Sequence, residues 1–339
     1  MTTTESSAAL ASVTFLQIEP TTRCNFTCGF CCGRHMDQND QSWEDFQATI
    51  DQFPHVQHME IQGEGEPLLH PRFFEMAALA KERGIKTSTI TNGSMFNPQR
   101  ISQILETGIA AIMISIESAD ADDFRNIRGG KFSVVERGIA SLLAERNARG
   151  LTMPTVGFAM TVLKRTQDQL NPIFDLYERL GMDGGILCHL LSDMQPYAQH
   201  YSDEMQGEVM SEMGQALVWA RYAKNLNRPG YHQSTIQHFW NDLMGKVKGA
   251  QAETADVVPF KSCPWLDHSL FVNRHGMATA CPNVKDTERF AFGHIRKDGT
   301  EPILESRASM RRQLTSGEIP IACQGCFIAD SIAHSFKKP

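Results

Sequence analysis

No run of apolar residues in this 339-residue chain is long enough to cross a bilayer, and residues 1–12 are small and polar rather than a charged segment leading into an apolar one. Both absences predict a cytoplasmic protein with no membrane partner. Positive charge is also scarce, since 32 Lys and Arg against 39 Asp and Glu leave a formal net charge of −7. A general nucleic-acid surface needs a basic face to replace the counterions on phosphate, so no nucleic-acid partner is expected. Repeats are missing too, apart from an alternation of strand-like and helical segments. Cysteine is almost absent outside two groups: of nine, three lie in 24–31 and four in 263–326, leaving Cys32 and Cys188. In a cytosolic chain such clustering points to metal or redox chemistry rather than disulfides.

A hydrophobic content of 41% supports one large domain and a smaller one. Residues 1–12, rich in Thr, Ser and Ala, are expected to be disordered. Strands are predicted at 13–19 (ended by Pro20), 58–62, 86–91, 111–116, 155–162 and 185–190. Between them come helices capped by Ser42 and running to 53, then at 71–83, at 98–107 closed by Gly108, at 133–147, and at 167–180 closed by Gly181. The class is α/β with a parallel sheet, either an open barrel or a doubly wound sheet. Residues 13–191 make this body. Residues 192–260 form a helical region, with Met205, Val209, Met213, Leu217 and Ala220 as a core-facing stripe and 250–259 as a linker. Residues 261–330 are a Cys-marked tail with a hairpin signature, strands at 269–272 and 277–280 around a turn at 273–276.

The run Cys24-Asn-Phe-Thr-Cys28-Gly-Phe-Cys31 sets three thiols within eight residues directly after the first strand. A [4Fe–4S] cubane normally takes four thiolates, so a group of three leaves one iron open. A zinc knuckle or a fragment of a redox disulfide is the alternative, although zinc sites usually pair C-x2-C with a second pair nearby. The segment Gly63-Glu64-Gly65-Glu66-Pro67 ends the second strand on the same rim, where glycines admit close backbone approach and carbonyls or Glu can hold an ammonium group. Asn92 ends the third strand, and Ser115 and Glu117 end the fourth.

With its spacing and with Phe30 before the third Cys, the run resembles the radical S-adenosylmethionine (radical SAM) superfamily. That resemblance implies a partial (β/α)6 TIM-like barrel. It also implies a [4Fe–4S] cluster on Cys24, Cys28 and Cys31 whose open iron chelates S-adenosylmethionine, with reduction yielding a 5′-deoxyadenosyl radical. The stretch Gly63, Glu64, Gly65, Glu66 is similar to the GGEP motif that holds the methionine amino group, with Glu64 standing where the family has Gly. Asn92, Ser115 and Glu117 are then cofactor-contacting rim residues, Glu117 towards the ribose, and Arg128 in Phe124-Arg-Asn-Ile-Arg128-Gly-Gly130 pairs with a carboxylate.

Cys263, Cys281, Cys323 and Cys326 give C-x17-C, a gap, then C-x2-C, a closed four-thiolate set for zinc or an iron–sulfur cluster. With Gly276 five residues before Cys281, the set resembles the Twitch form of the SPASM extension, which implies an auxiliary [4Fe–4S] cluster in a small C-terminal domain. The expected function is hydrogen-atom abstraction from a small polar, sugar- or cyclitol-like substrate, ending in oxidation and served by a flavodoxin- or ferredoxin-type electron donor. Epimerisation with Cys188 as hydrogen donor is the first alternative, Cys188 being placed at the rim by its position late in the sixth strand. A peptide-modifying enzyme is the second, disfavoured by the short stretch before the first strand, and a non-catalytic zinc protein is the third.

Overall fold

The computed structural model describes residues 3–228, 231 and 260–337. Six parallel strands, β1 (Phe15–Ile18), β2 (His58–Ile61), β3 (Lys86–Thr91), β4 (Ala111–Ile116), β5 (Thr155–Val162) and β6 (Ile186–Leu190), lie side by side in chain order. Every step along the sheet goes the same way, so right-handed crossovers set all the connecting helices on one face. A doubly wound sheet reverses direction part-way. The architecture is therefore an unclosed (β/α)6 barrel.

Local chemistry accounts for the helices. Helix α1 (Thr3–Ala11) precedes β1, and α2 (Trp43–Gln52), α3 (Phe73–Glu82), α4 (Pro98–Thr107), α5 (Ala121–Arg128), α6 (Phe132–Ala148) and α7 (Leu170–Arg179) follow in order. Ser42 Oγ accepts the Asp45 amide 3.1 Å away to start α2. At α4, Asn97 caps the Arg100 amide at 2.9 Å and Gly108 leaves the helix at φ 70°. The expected disorder of residues 1–12 is corrected by α1. Its Ala-Ala-Leu-Ala run favours helix, and Arg307 of the helix Thr300–Thr315 holds its end through Ser12 Oγ at 2.9 Å.

The two faces of the sheet differ in chemistry. On β4, Ile112, Ile114 and Ile116 join Ile104 of α4 and Ile139 and Leu142 of α6 in the main core. Ala111 and Met113 point the other way, into a small cluster with Ala159 and Leu187. Register carries this inner face across the sheet: Ser88 is opposite Ala111, Glu60 opposite Ser88, and Gln17 opposite Glu60. The larger apolar core thus lies on the helix side, while the inside mixes a small apolar cluster on β4 to β6 with the polar Ser88, Glu60 and Gln17.

The C-terminal segment continues the same sheet. Strand β7 (Ser269–Val272) runs parallel to β1, and β8 (Met277–Thr279) and β9 (Gly293–His294) add antiparallel beyond it. The predicted hairpin exists, but it extends the edge of the barrel. Between β6 and this hairpin lie short helices at Gln195–Ala198 and Asp203–Gln206 and a longer one at Glu212–Leu226. The expected core stripe holds for Met205 (5% exposed) and fails for Met213 (72%) and Leu217 (50%), because the helix breaks at 207–211 and resets the face. The linker at 250–259 lies outside the described residues. Among the described residues no helix is long and apolar enough to cross a membrane.

Candidate active site

The loop after β1 is stapled at its base before it reaches the thiols. Thr22 donates its amide to Asn39 O (3.1 Å) and its hydroxyl to Asp37 O (2.7 Å), while Arg23 forms a two-point pair with Asp40 at 2.9 and 2.7 Å. The far side is pinned by α5, since Thr27 N donates to Arg128 O at 2.9 Å and Gly29 N to Ile127 O at 3.3 Å. A Cβ on Gly129 would meet Thr27 Oγ1 at 2.1 Å, and one on Gly130 would meet the Phe26 ring at 2.3 Å. Only glycines permit this approach. So held, Cys24, Cys28 and Cys31 line one cavity of about 190 Å³ together with Phe26, Arg34 and Glu64.

The loop after β2 lies against this one. A Cβ on Gly63 would fall 2.3 Å from Glu19 Cγ, and one on Gly65 would fall 2.5 Å from Thr21 O. Glu66 turns inward, where its carboxylate accepts from Thr91 Oγ1 (2.7 Å), Asn92 N (2.7 Å) and Leu68 N (3.1 Å). Its side chain therefore fastens the loop to the end of β3. Asn92 in turn reaches the cluster loop through Asn25 Oδ1 at 2.8 Å and stands 3.9 Å from Cys24 Sγ. Glu64 pairs with Lys285 and has its carboxylate 3.9 Å from Cys31 Sγ.

Glu117 is fully buried and pairs with Arg128, as expected of Arg128. The same pairing takes the Glu117 oxygens expected for ribose. The Arg128 guanidinium stands 3.7 Å from Cys28 Sγ and 5.9 Å from the centre of the Phe30 ring, so both residues border the thiols. Ser115 sits on the inner face of β4, opposite Ala159. Cys188 does not join them. It is paired with Met160 and packs with Ile186 and Leu190 in the helix-side core, while its neighbour His189 takes the inner side. The hydrogen-donor role expected of Cys188 is thus corrected: alternation along β6 turns its thiol away from the site.

Sequence reading passed over Lys285, Arg274 and Tyr197. Arg274 reaches back from the turn after β7 to Glu19 at 3.2 Å and to Asp37 at the cluster-loop base, and Lys285 lies 5.1 Å from the centre of the Tyr197 ring. No local pattern marks such contacts, because each joins segments more than eighty residues apart. Glu60 was also passed over, although a carboxylate between Met59 and Ile61 in a parallel strand is a visible anomaly.

Residues 18–176 match the Radical SAM superfamily. This chain carries a radical SAM domain. Among curated proteins, it is similar to a tungsten-containing aldehyde ferredoxin oxidoreductase cofactor-modifying protein of Pyrococcus furiosus, 27% identical over 52% of this chain and 51% of that one. It is also similar to an AdoMet-dependent heme synthase of Methanosarcina barkeri (28%; 48% and 46%) and a GTP 3′,8-cyclase of Rhizobium meliloti (30%; 39% and 41%). The chain spans about half, or less, of the length of these relatives. In fold it is similar to Streptococcus suis SuiB bound to its precursor peptide SuiA (TM-score 0.65, 14% identity, 91% and 70% covered) and to anSMEcpe with bound AdoMet and a peptide (0.65, 14%, 94% and 88%).

Radical SAM domains use a [4Fe–4S] cluster and S-adenosylmethionine, and the residues present fit both. Three thiols open on one cavity, and burial pushes Cys28 up to about 11 and Cys31 to about 12, so without a metal they are stranded as neutral thiols. The three thiols line that one cavity together. In the second group, Cys263 (pushed to about 11) and Cys323 (about 12) are raised first by burial and then by other thiols of the set, and the charges of Cys263, Cys323 and Cys326 all act on Cys281. Cys263 and Cys281 flank the Phe15–Trp265 pair, whose ring centres are 5.8 Å apart.

Proposed function

We propose that the protein is a cytoplasmic radical SAM oxidoreductase that removes a hydrogen atom from a carbon of a small polar, sugar- or cyclitol-like substrate and leaves it oxidised. The observation that carries this reading is the convergence of Cys24, Cys28 and Cys31 on a single cavity at the carboxyl ends of the parallel strands, where barrels present their chemistry. When bound there, the cluster and S-adenosylmethionine supply a one-electron reductive cleavage that ends in hydrogen abstraction, with 5′-deoxyadenosine and methionine as products.

The chain's own part is to hold and orient. Gly63 and Gly65 bring the backbone of the second loop against the first, leaving its carbonyls for the methionine ammonium group. Asn92 and the Glu117–Arg128 pair stiffen the rim on which the adenosine would rest, and Phe30 and Ser115 would border it. Cys263, Cys281, Cys323 and Cys326 would hold a fully ligated auxiliary cluster in a Twitch-like unit spanning 261–330, outside the barrel body of 13–191, able to accept the electron left after hydrogen removal. The reductant is read as a flavodoxin- or ferredoxin-type protein. Names of the curated relatives speak of cofactor modification, heme synthesis and GTP cyclisation, which supports a small molecule over a peptide.

The test uses protein purified without oxygen, which should carry roughly eight irons per chain. Dithionite with S-adenosylmethionine should release 5′-deoxyadenosine. Replacing Cys24, Cys28 and Cys31 together by Ala should abolish that release and leave about half the iron, while release from the triple variant would refute the assignment.

A further inference from the structure

We propose that Glu60 lies at the floor of the substrate site and binds an ammonium group of the substrate, an assignment that rests on the reading of the rim above it as the active site. Glu60 occupies the inner face of β2, between Gln17 of β1 and Ser88 of β3. It is 1% exposed, and neither carboxylate oxygen has a partner at full hydrogen-bonding geometry; the Gln62 side chain, two residues on, favours the charged form but is itself neutral and leaves the charge unmatched. Native interiors rarely leave a carboxyl in that state, because a buried polar group without a partner costs free energy that an apolar residue of similar size would not. The neighbours on the other face of the strand, Met59 and Ile61, show what packing alone selects here.

The missing partner is best supplied from outside the chain. Among the described residues, the three cations buried around this end of the barrel are each already paired: Arg274 with Glu19, Arg128 with Glu117 and Lys285 with Glu64. No positive charge is left over from them to offset Glu60. A primary ammonium group brings one charge and three donors, enough to satisfy both oxygens, whereas a hydroxyl brings one donor and no charge. Access comes from the rim. Gln62, two residues on and facing the same way, is half-buried, and one such step along a strand is about 7 Å. Substrates that fit are thus amine-bearing polyols, of which aminocyclitols and amino sugars are the small members.

The experiment uses the iron-loaded protein, saturated with S-adenosylmethionine and kept unreduced, titrated with scyllo-inosamine and D-glucosamine and with their neutral counterparts scyllo-inositol and D-glucose. At least one amine should raise Tm and bind at least tenfold more tightly than its neutral counterpart, and Glu60→Gln should lose that preference while still binding S-adenosylmethionine. Glu60→Asp, which keeps the charge, should retain part of it. Equal binding of amine and polyol by the unaltered protein, no binding of either amine, or a preference that survives Glu60→Gln would overturn the proposal. The wild-type comparison stands even if the variants do not fold. In parallel samples reduced with dithionite, absence of 5′-deoxyadenosine would overturn the active-site reading itself, while its release together with any of the adverse binding results would overturn only the assignment of Glu60.

Discussion

A buried carboxyl that titrates near 7, against 4.5 when free, binds more protons in the folded than in the unfolded chain between those two values. Burial places Glu60 in that position. Folding stability should therefore fall as pH rises from about 4.5 to 7 and flatten above, by up to roughly 3 kcal/mol in all. Glu60→Gln removes the titrating group and with it the fall. Urea unfolding at pH 5 and pH 8 should show the variant gaining stability relative to the parent at the higher pH; an unchanged difference would mean that the carboxyl is partnered after all. Glu60 also shows what residue patterns reveal and hide. Its anomaly could be read from β2 alone, and the thiols of the first group from their spacing. Cys188 was misplaced because a position late in a strand says nothing about which face it takes until the pairing register is known. Only the Met160 partnership settles that.

At the scale of loops and strands, Glu64 departs from the glycine of similar motifs, and the structure shows what accompanies the change. Its carboxylate meets Lys285, which comes from the turn after β8, and both side chains are more than four-fifths buried. Lys285→Met would leave a carboxylate enclosed beside Cys31 without its cation, at a cost of about 3 kcal/mol. Glu64→Gly combined with Lys285→Met should recover most of that loss. Additive losses in the double variant, measured by chemical unfolding of all four forms, would show that the two residues act separately. The elements themselves were largely legible, because each β/α step carries its own signals: β3, β4, β5 and α4 fall where hydrophobic runs, Pro98 and Gly108 put them. Helices α1 and α5 escaped. Both are short, and each owes its place to a distant contact, α1 to Arg307 and α5 to the cluster loop.

For the whole molecule, the loop of the first Cys group follows β1 and Cys281 of the second follows β8 of the same continuous sheet, and Phe15 of β1 and Trp265 pack against Cys263 and Cys281. If the second group accepts the electron left after hydrogen removal, replacing Cys323 and Cys326 by Ala should preserve release of 5′-deoxyadenosine while lowering oxidised product by at least tenfold. Liquid chromatography of both compounds from one reaction would test this, and undiminished product would rule the role out. Sequence alone could not show that the tail joins the barrel edge, since the pairing of Phe15 with Ser269 has no local trace.

That pairing also bears on synthesis. Strand β1 hydrogen-bonds β2 on one side and β7 on the other, and β7 leaves the ribosome long after β1. Through most of translation, the strand that carries the three thiols has one row of amides and carbonyls open to any passing chain. Iron delivered in that interval would meet a loop whose supports, Arg274 and Lys285, have yet to be made. Connectivity thus leaves the edge of β1 beside β7 as the last side of that strand to be paired.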